Sequence, residues 1–188
     1  MTPFELFFGL TSVILALALT HLANSFQLLL RAGPRVRWAI EPILQAALVV
    51  MILVFVWVDQ WHDRGIASVT VPQSMLQVLK LLAVYVVAAA VLPEPAADEP
   101  IDLREHYMAS RRVTYGGLIA GLLLFTAYRL LFYPPGHIPI NNSPLLGLGL
   151  LLTYVTLLIF RWRPWHIAAL LLVCLVYAVQ IAPVAIGG

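Results

Sequence analysis

Charge is what this chain most lacks. Of its 188 residues only 11% are Asp, Glu, Lys or Arg, against 62% hydrophobic, and the mean hydropathy is +0.93. So little polar surface cannot clothe a soluble globule, and lipid becomes the expected solvent. Lysine is present once, as Lys80, and cysteine once, as Cys174 inside an apolar run. A lone cysteine excludes an intrachain disulfide and any zinc site built on thiolates. The net charge of +2 is small and its arginines lie at the ends of apolar runs, so no basic patch for nucleic acid exists. Catalytic signatures are missing too: there is no G-x-S-x-G, H-E-x-x-H, P-loop or G-x-G-x-x-G. The expectation is a protein that is not an enzyme and needs no cofactor.

What is present is a series of apolar runs long enough to cross ~30 Å of hydrocarbon, broken by one sustained hydrophilic stretch. That stretch begins Pro93-Glu94-Pro95 and continues through Asp102, Arg104 and Glu105 to Arg111-Arg112. The sequence predicts an all-α, polytopic transmembrane bundle of six helices, two three-helix halves joined by a charged cytoplasmic segment over 93–112. The spans fall at about 4–30, 38–61, 73–92, 113–132, 145–160 and 166–186, and the whole chain 1–188 is one transmembrane domain. No signal-peptide pattern precedes the first run, which reads as a retained span. Within the hydrophilic stretch, Asp102 and Glu105 have capping-box spacing, so a helix is expected from near Leu103.

Loop arginines set the expected orientation, because cytoplasmic loops retain positive charge. Arg31, Arg35, Arg37, Arg104, Arg111, Arg112, Arg161 and Arg163 share one side, and only Arg64 and Arg129 lie toward the other. Both termini are therefore expected outside a plasma membrane, the inner membrane if the chain is bacterial.

Five groups of residues could carry function. On span 1, Ser12, Ala16, Thr20, Asn24 and Gln27 recur every three or four residues beside His21, on a face expected to turn toward other helices. Thr20, His21, Asn24 and Gln27, with Glu41 and Gln45 of span 2, form the candidate polar intramembrane cluster, a place for proton or solute handling, since buried ionisable groups in lipid are expensive. In the outer half, Lys80 is expected to ion-pair with Glu5 or Asp59. Asp59, His62, Asp63 and His137 are metal-ligand types on one side of the membrane, a weak divalent-cation candidate. A haem held by two histidines is a poorer one, because only His21 lies well within a span and His166 sits at the interface. Gly117 and Gly121 form a G-x-x-x-G for close helix packing, and Arg104, Arg111 and Arg112 are placed at lipid headgroups.

The reading that follows is an accessory or assembly component of a membrane complex. Its partners would be the lipid bilayer and a membrane protein or a second copy of itself. The alternative is a small oligomeric transporter or channel with a polar path around His21, and a further one is a lipid-headgroup enzyme using His106.

Overall fold

The computed structural model describes residues 3–60, 69–94, 100–132 and 144–182. They form six α-helices: α1 Pro3–Ala32, α2 Ile40–Asp59, α3 Val71–Val91, α4 Leu103–Phe132, α5 Pro144–Ile159 and α6 Arg163–Ile181. All but α5 are long and apolar enough to cross a membrane. The all-α class read from the sequence is the class observed, with helices of the length and apolarity that suit a membrane.

Local chemistry explains where the helices begin and end. Helix α1 stops where Gly33 takes φ +56°, a left-handed conformation that an L side chain resists, followed by Pro34 in a short 3-10 turn over Gly33–Arg35. The Thr70 hydroxyl accepts from the Gln73 amide N–H, while the Gln73 side chain accepts from the Thr70 N–H at 2.7 Å, so α3 begins at Val71 with a complete capping box. Asp102 Oδ1 accepts from the backbone N–H groups of Arg104 (2.9 Å) and Glu105 (3.1 Å), which starts α4 at Leu103. The helix then runs unbroken for 30 residues. Its first three turns occupy what the sequence suggested as a hydrophilic connector, because Leu103 and Tyr107 are fully buried there.

Two short strands, β1 Val36–Arg37 after α1 and β2 Ile101–Asp102 before α4, pair in parallel, Val36 with Ile101 and Arg37 with Asp102. The α1–α2 and α3–α4 connections thus lie at one end of the bundle, here termed the strand end. An ion pair between Glu41 and Arg163 puts the α5–α6 turn at that end as well, and one between Asp59 and Arg129 joins α2 and α4 at the opposite end.

Helix α2 is the centre of the assembly and α1 its edge, since 44% of the α2 span is buried against 22% of the α1 span. The most extensive helix contact is that of α3 with α4. A Cβ on Gly117 would stand 2.6 Å from Val87 Cγ2, nearer than carbon atoms can pack. At Gly121 the nearest atom is Ala83 Cβ at 3.9 Å, an ordinary contact. Gly117→Ala should therefore destabilise by about 1–3 kcal/mol, as overpacking does, and Gly121→Ala by less. Adding Val87→Ala should restore most of the Gly117→Ala loss in thermal unfolding. Valine is stiff about χ1, so it cannot swing aside unaided.

Candidate functional site

The strand end holds a buried polar network that only partly matches the cluster anticipated from sequence. Glu41 and Gln45, one turn apart on α2, are both fully buried. Arg163 at the start of α6 donates from Nε to Glu41 Oε1 at 2.6 Å, and Glu41 Oε2 is left without a hydrogen bond. From α4, Tyr107, Arg111 and Tyr115 project at four-residue intervals into the same region, all buried.

His166 on α6 links these groups. Its Nε2–H donates to the Phe160 carbonyl at 3.0 Å, so in the neutral ring Nδ1 accepts the Tyr107 hydroxyl at 2.5 Å. The Tyr107 hydroxyl in turn accepts that of Tyr115 at 2.8 Å. Arg111 Nη1 donates to the same Phe160 carbonyl at 3.0 Å. That carbonyl is one of those left over at the end of α5, where the helix dipole favours cationic and N–H donors. The Gln45 amide abuts the Tyr115 hydroxyl without a hydrogen bond of ordinary geometry. The network fastens the α5–α6 turn to α2 and α4, and its short chain of hydroxyl and imidazole groups ends on a backbone carbonyl.

The span 1 residues lie elsewhere. Thr20, Asn24, Gln27 and Ala16 are exposed, and Ser12 is half-buried. The inward face of α1 consists instead of Thr11, Leu15, Ala18, Leu22, Ser25 and Leu29, spaced alternately by four and three. Leucines fill the space between α1 and its neighbours better than short polar groups do, and packing, not polarity, turns a helix in lipid. His21, half-buried, stands 3.9 Å from the exposed Glu94, apart from the Glu41 network. The proposed six-residue cluster is thus two separate sets.

Arg111 is another correction. It is 6% exposed and bound to the Phe160 carbonyl, whereas Arg104 and Arg112 are exposed and available to headgroups. Helical phase decides this, because Arg111 shares the buried face of Tyr107 and Tyr115 while its sequence neighbour does not. His106, half-buried, donates from Nε2 to the Ala90 carbonyl at 3.1 Å and so secures the end of α3.

At the opposite end Asp59 of α2 pairs with Arg129 of α4. Lys80 extends over the rings of Phe125 (5.2 Å) and Tyr128 (5.0 Å), and Arg129 lies 4.8 Å from the Phe125 centroid. The Gln77 amide of α3 reaches the Thr11 hydroxyl of α1 at 3.5 Å. His62, Asp63 and His137 lie outside the described residues, and among those described no cluster of three metal-ligand side chains occurs.

Beside Lys80 and Arg129 a cavity of about 370 Å³ opens among α2, α3, α4, α5 and α6. A second, of about 290 Å³ between α1 and α2, is walled only by apolar residues, Leu22, Phe26, Trp38 and Ile43 among them. No protein family, curated protein or solved structure matches this chain.

Proposed function

We propose that the protein is a non-catalytic accessory or assembly component of a membrane complex, and that α1 is the edge on which a transmembrane helix of the partner docks. The observation that carries this reading is the outward face of α1, where Ala16, Thr20 and Asn24 succeed one another at four-residue spacing on the least covered of the five long apolar helices. Facing hydrocarbon, such a face forgoes both tight packing and hydrogen bonding. A second helix bearing its own hydroxyl or amide supplies both, at about 0.6–2 kcal/mol per interhelical hydrogen bond. In the same reading the chain crosses a plasma membrane six times, with the strand end and its eight arginines in the cytoplasm and both termini outside.

A polar path around His21 has less support. The neighbouring cavity between α1 and α2 is entirely apolar, and the buried acid Glu41 is already paired with Arg163. Headgroup chemistry at His106 is disfavoured by the hydrogen bond of its Nε2 to the Ala90 carbonyl.

A photocrosslinker placed at Thr20 in native membranes should give one discrete heteromeric adduct, and the same probe at Leu172, 55% exposed on α6, should give none. The double substitution Thr20→Leu/Asn24→Leu should abolish the copurifying partner and leave the unfolding temperature of the isolated protein within a few degrees. Adducts of equal yield from both positions, or a companion indifferent to the double substitution, would refute α1 as the docking edge.

A further inference from the structure

We infer that His166 is a proton-binding site, and that the chain of hydroxyls leading from it to Gln45 reverses its polarity when the proton is taken up. The groups involved belong to α2, α4 and the α5–α6 turn, so the inference is independent of the docking proposal for α1.

The resting polarity is fixed at the imidazole. Because Nε2–H donates to the Phe160 carbonyl at 3.0 Å, Nδ1 of the neutral ring carries a lone pair, and the Tyr107 hydroxyl 2.5 Å away directs its hydrogen there. The Tyr107 and Tyr115 oxygens stand 2.8 Å apart, so the hydrogen between them is that of Tyr115. Both hydroxyls thus point toward His166. At the other end of the chain Gln45 abuts Tyr115 with no solvent exposure, and neither its Oε1 nor its Nε2 has a hydrogen bond. Burying an amide without partners is costly, and in this polarity Tyr115 has no hydrogen to offer it.

A proton on Nδ1 turns the whole chain round. Nδ1–H donates to the Tyr107 oxygen, the Tyr107 O–H donates to the Tyr115 oxygen, and the Tyr115 O–H turns to Gln45 Oε1. No member loses a partner, and Gln45 gains one. One proton is taken from water, the net charge rises by one at the imidazole, and both phenols are neutral before and after.

The surroundings carry charge of both signs. Glu41 from α2 favours an imidazolium, and Arg111 from α4 opposes it. Arg163, on the same helix as His166, engages only Oε1 of Glu41, and Oε2 is left without a hydrogen bond. The Phe160 carbonyl accepts from both Nε2 and Arg111 Nη1 at the end of α5, where the helix dipole is negative. Proton uptake keeps the α5–α6 turn fastened and adds a hydrogen bond from α4 to α2. The bundle therefore has two protonation states with different ties between its helices, set at the strand end.

The test is nitrogen-15 NMR of the histidine-labelled full chain in lipid bilayers, with the His166 signal assigned by its loss in His166→Gln. The expected result is a ring protonated on Nε2 alone at high pH that gains a proton on Nδ1 between about pH 9 and about pH 4, the range in which protein imidazoles titrate. Gln45→Leu removes the acceptor that the reversed chain needs and leaves the resting chain intact. It should weaken proton binding at His166 about tenfold or more, with the midpoint of His21 unmoved. Gln77→Leu, at a buried amide of α3, should leave His166 titrating as in the wild type. Should Gln45→Leu fail to fold, Tyr115→Phe leaves the Tyr107 O–H without an acceptor in the reversed chain, and the same weakening is expected. A His166 that stays neutral throughout, as it would if Glu41 took the proton instead, overturns the inference. So does a midpoint indifferent to both Gln45→Leu and Tyr115→Phe.

Discussion

Arg129→Met should lower the unfolding temperature of the detergent-solubilised protein more than any other single change considered. Arg129 and its partner Asp59 have side-chain exposures of only 8% and 13%, and together they tie the end of α2 to the end of α4. Removing one member of such a pair leaves a charge in poorly hydrated surroundings and costs about 3–5 kcal/mol. For a chain of this size that corresponds to roughly 6–20 °C. The cost is electrostatic, so Arg129→Met/Asp59→Asn, which removes both charges of the pair, should recover a large part of it. A double variant as unstable as the single one would mean that the guanidinium contributes through its contact with Phe125 instead. A nearly unchanged unfolding temperature for Arg129→Met alone would dismiss the pair as a structural tie.

The second large effect is expected at the strand end. Arg163→Ala withdraws the donor of the 2.6 Å hydrogen bond to Glu41, a carboxylate with no solvent exposure whose other oxygen already has no hydrogen bond. Hydrogen bonds to charged groups are worth about 1.5–3 kcal/mol, and the half-exposed Arg163 places this one toward the lower part of that range. The charge, not the shape, is what the loss exposes, so Glu41→Gln should be tolerated better in the Arg163→Ala background than in the wild type. Thermal unfolding of the four proteins forms a double-mutant cycle, and a coupling near zero would remove Glu41–Arg163 from the forces that hold the α5–α6 turn.

The helices were legible because a long apolar run has few ways to satisfy its backbone in lipid other than by helix formation. The start of α4 was legible for a local reason, the cap residue Asp102. The same motif logic applied to Thr70-x-x-Gln73 points to a start at Val71, two residues ahead of the expected span. The rotation of α1 was not legible. In water the apolar face of a helix identifies its inside, but in a bilayer both faces are compatible with their surroundings, and the fit of Leu15, Leu22 and Leu29 decided the matter. The network around His166 leaves one trace in the sequence, since Tyr107, Arg111 and Tyr115 recur at four-residue intervals on one face. Its partner His166 is 59 residues from Tyr107, and no local pattern links them.

The six helices are unequal in length, and that inequality acts on the bilayer as well as on the fold. Helix α5 has 16 residues and covers about 24 Å, while α4 beside it has 30 and covers about 45 Å. A membrane core of about 30 Å cannot match both. In the proposed six-span arrangement, lipid touching α5 would be compressed and lipid touching α4 relieved by tilt or overhang, so the protein would carry a thickness gradient around its perimeter and should partition toward thinner membrane on its α5 flank.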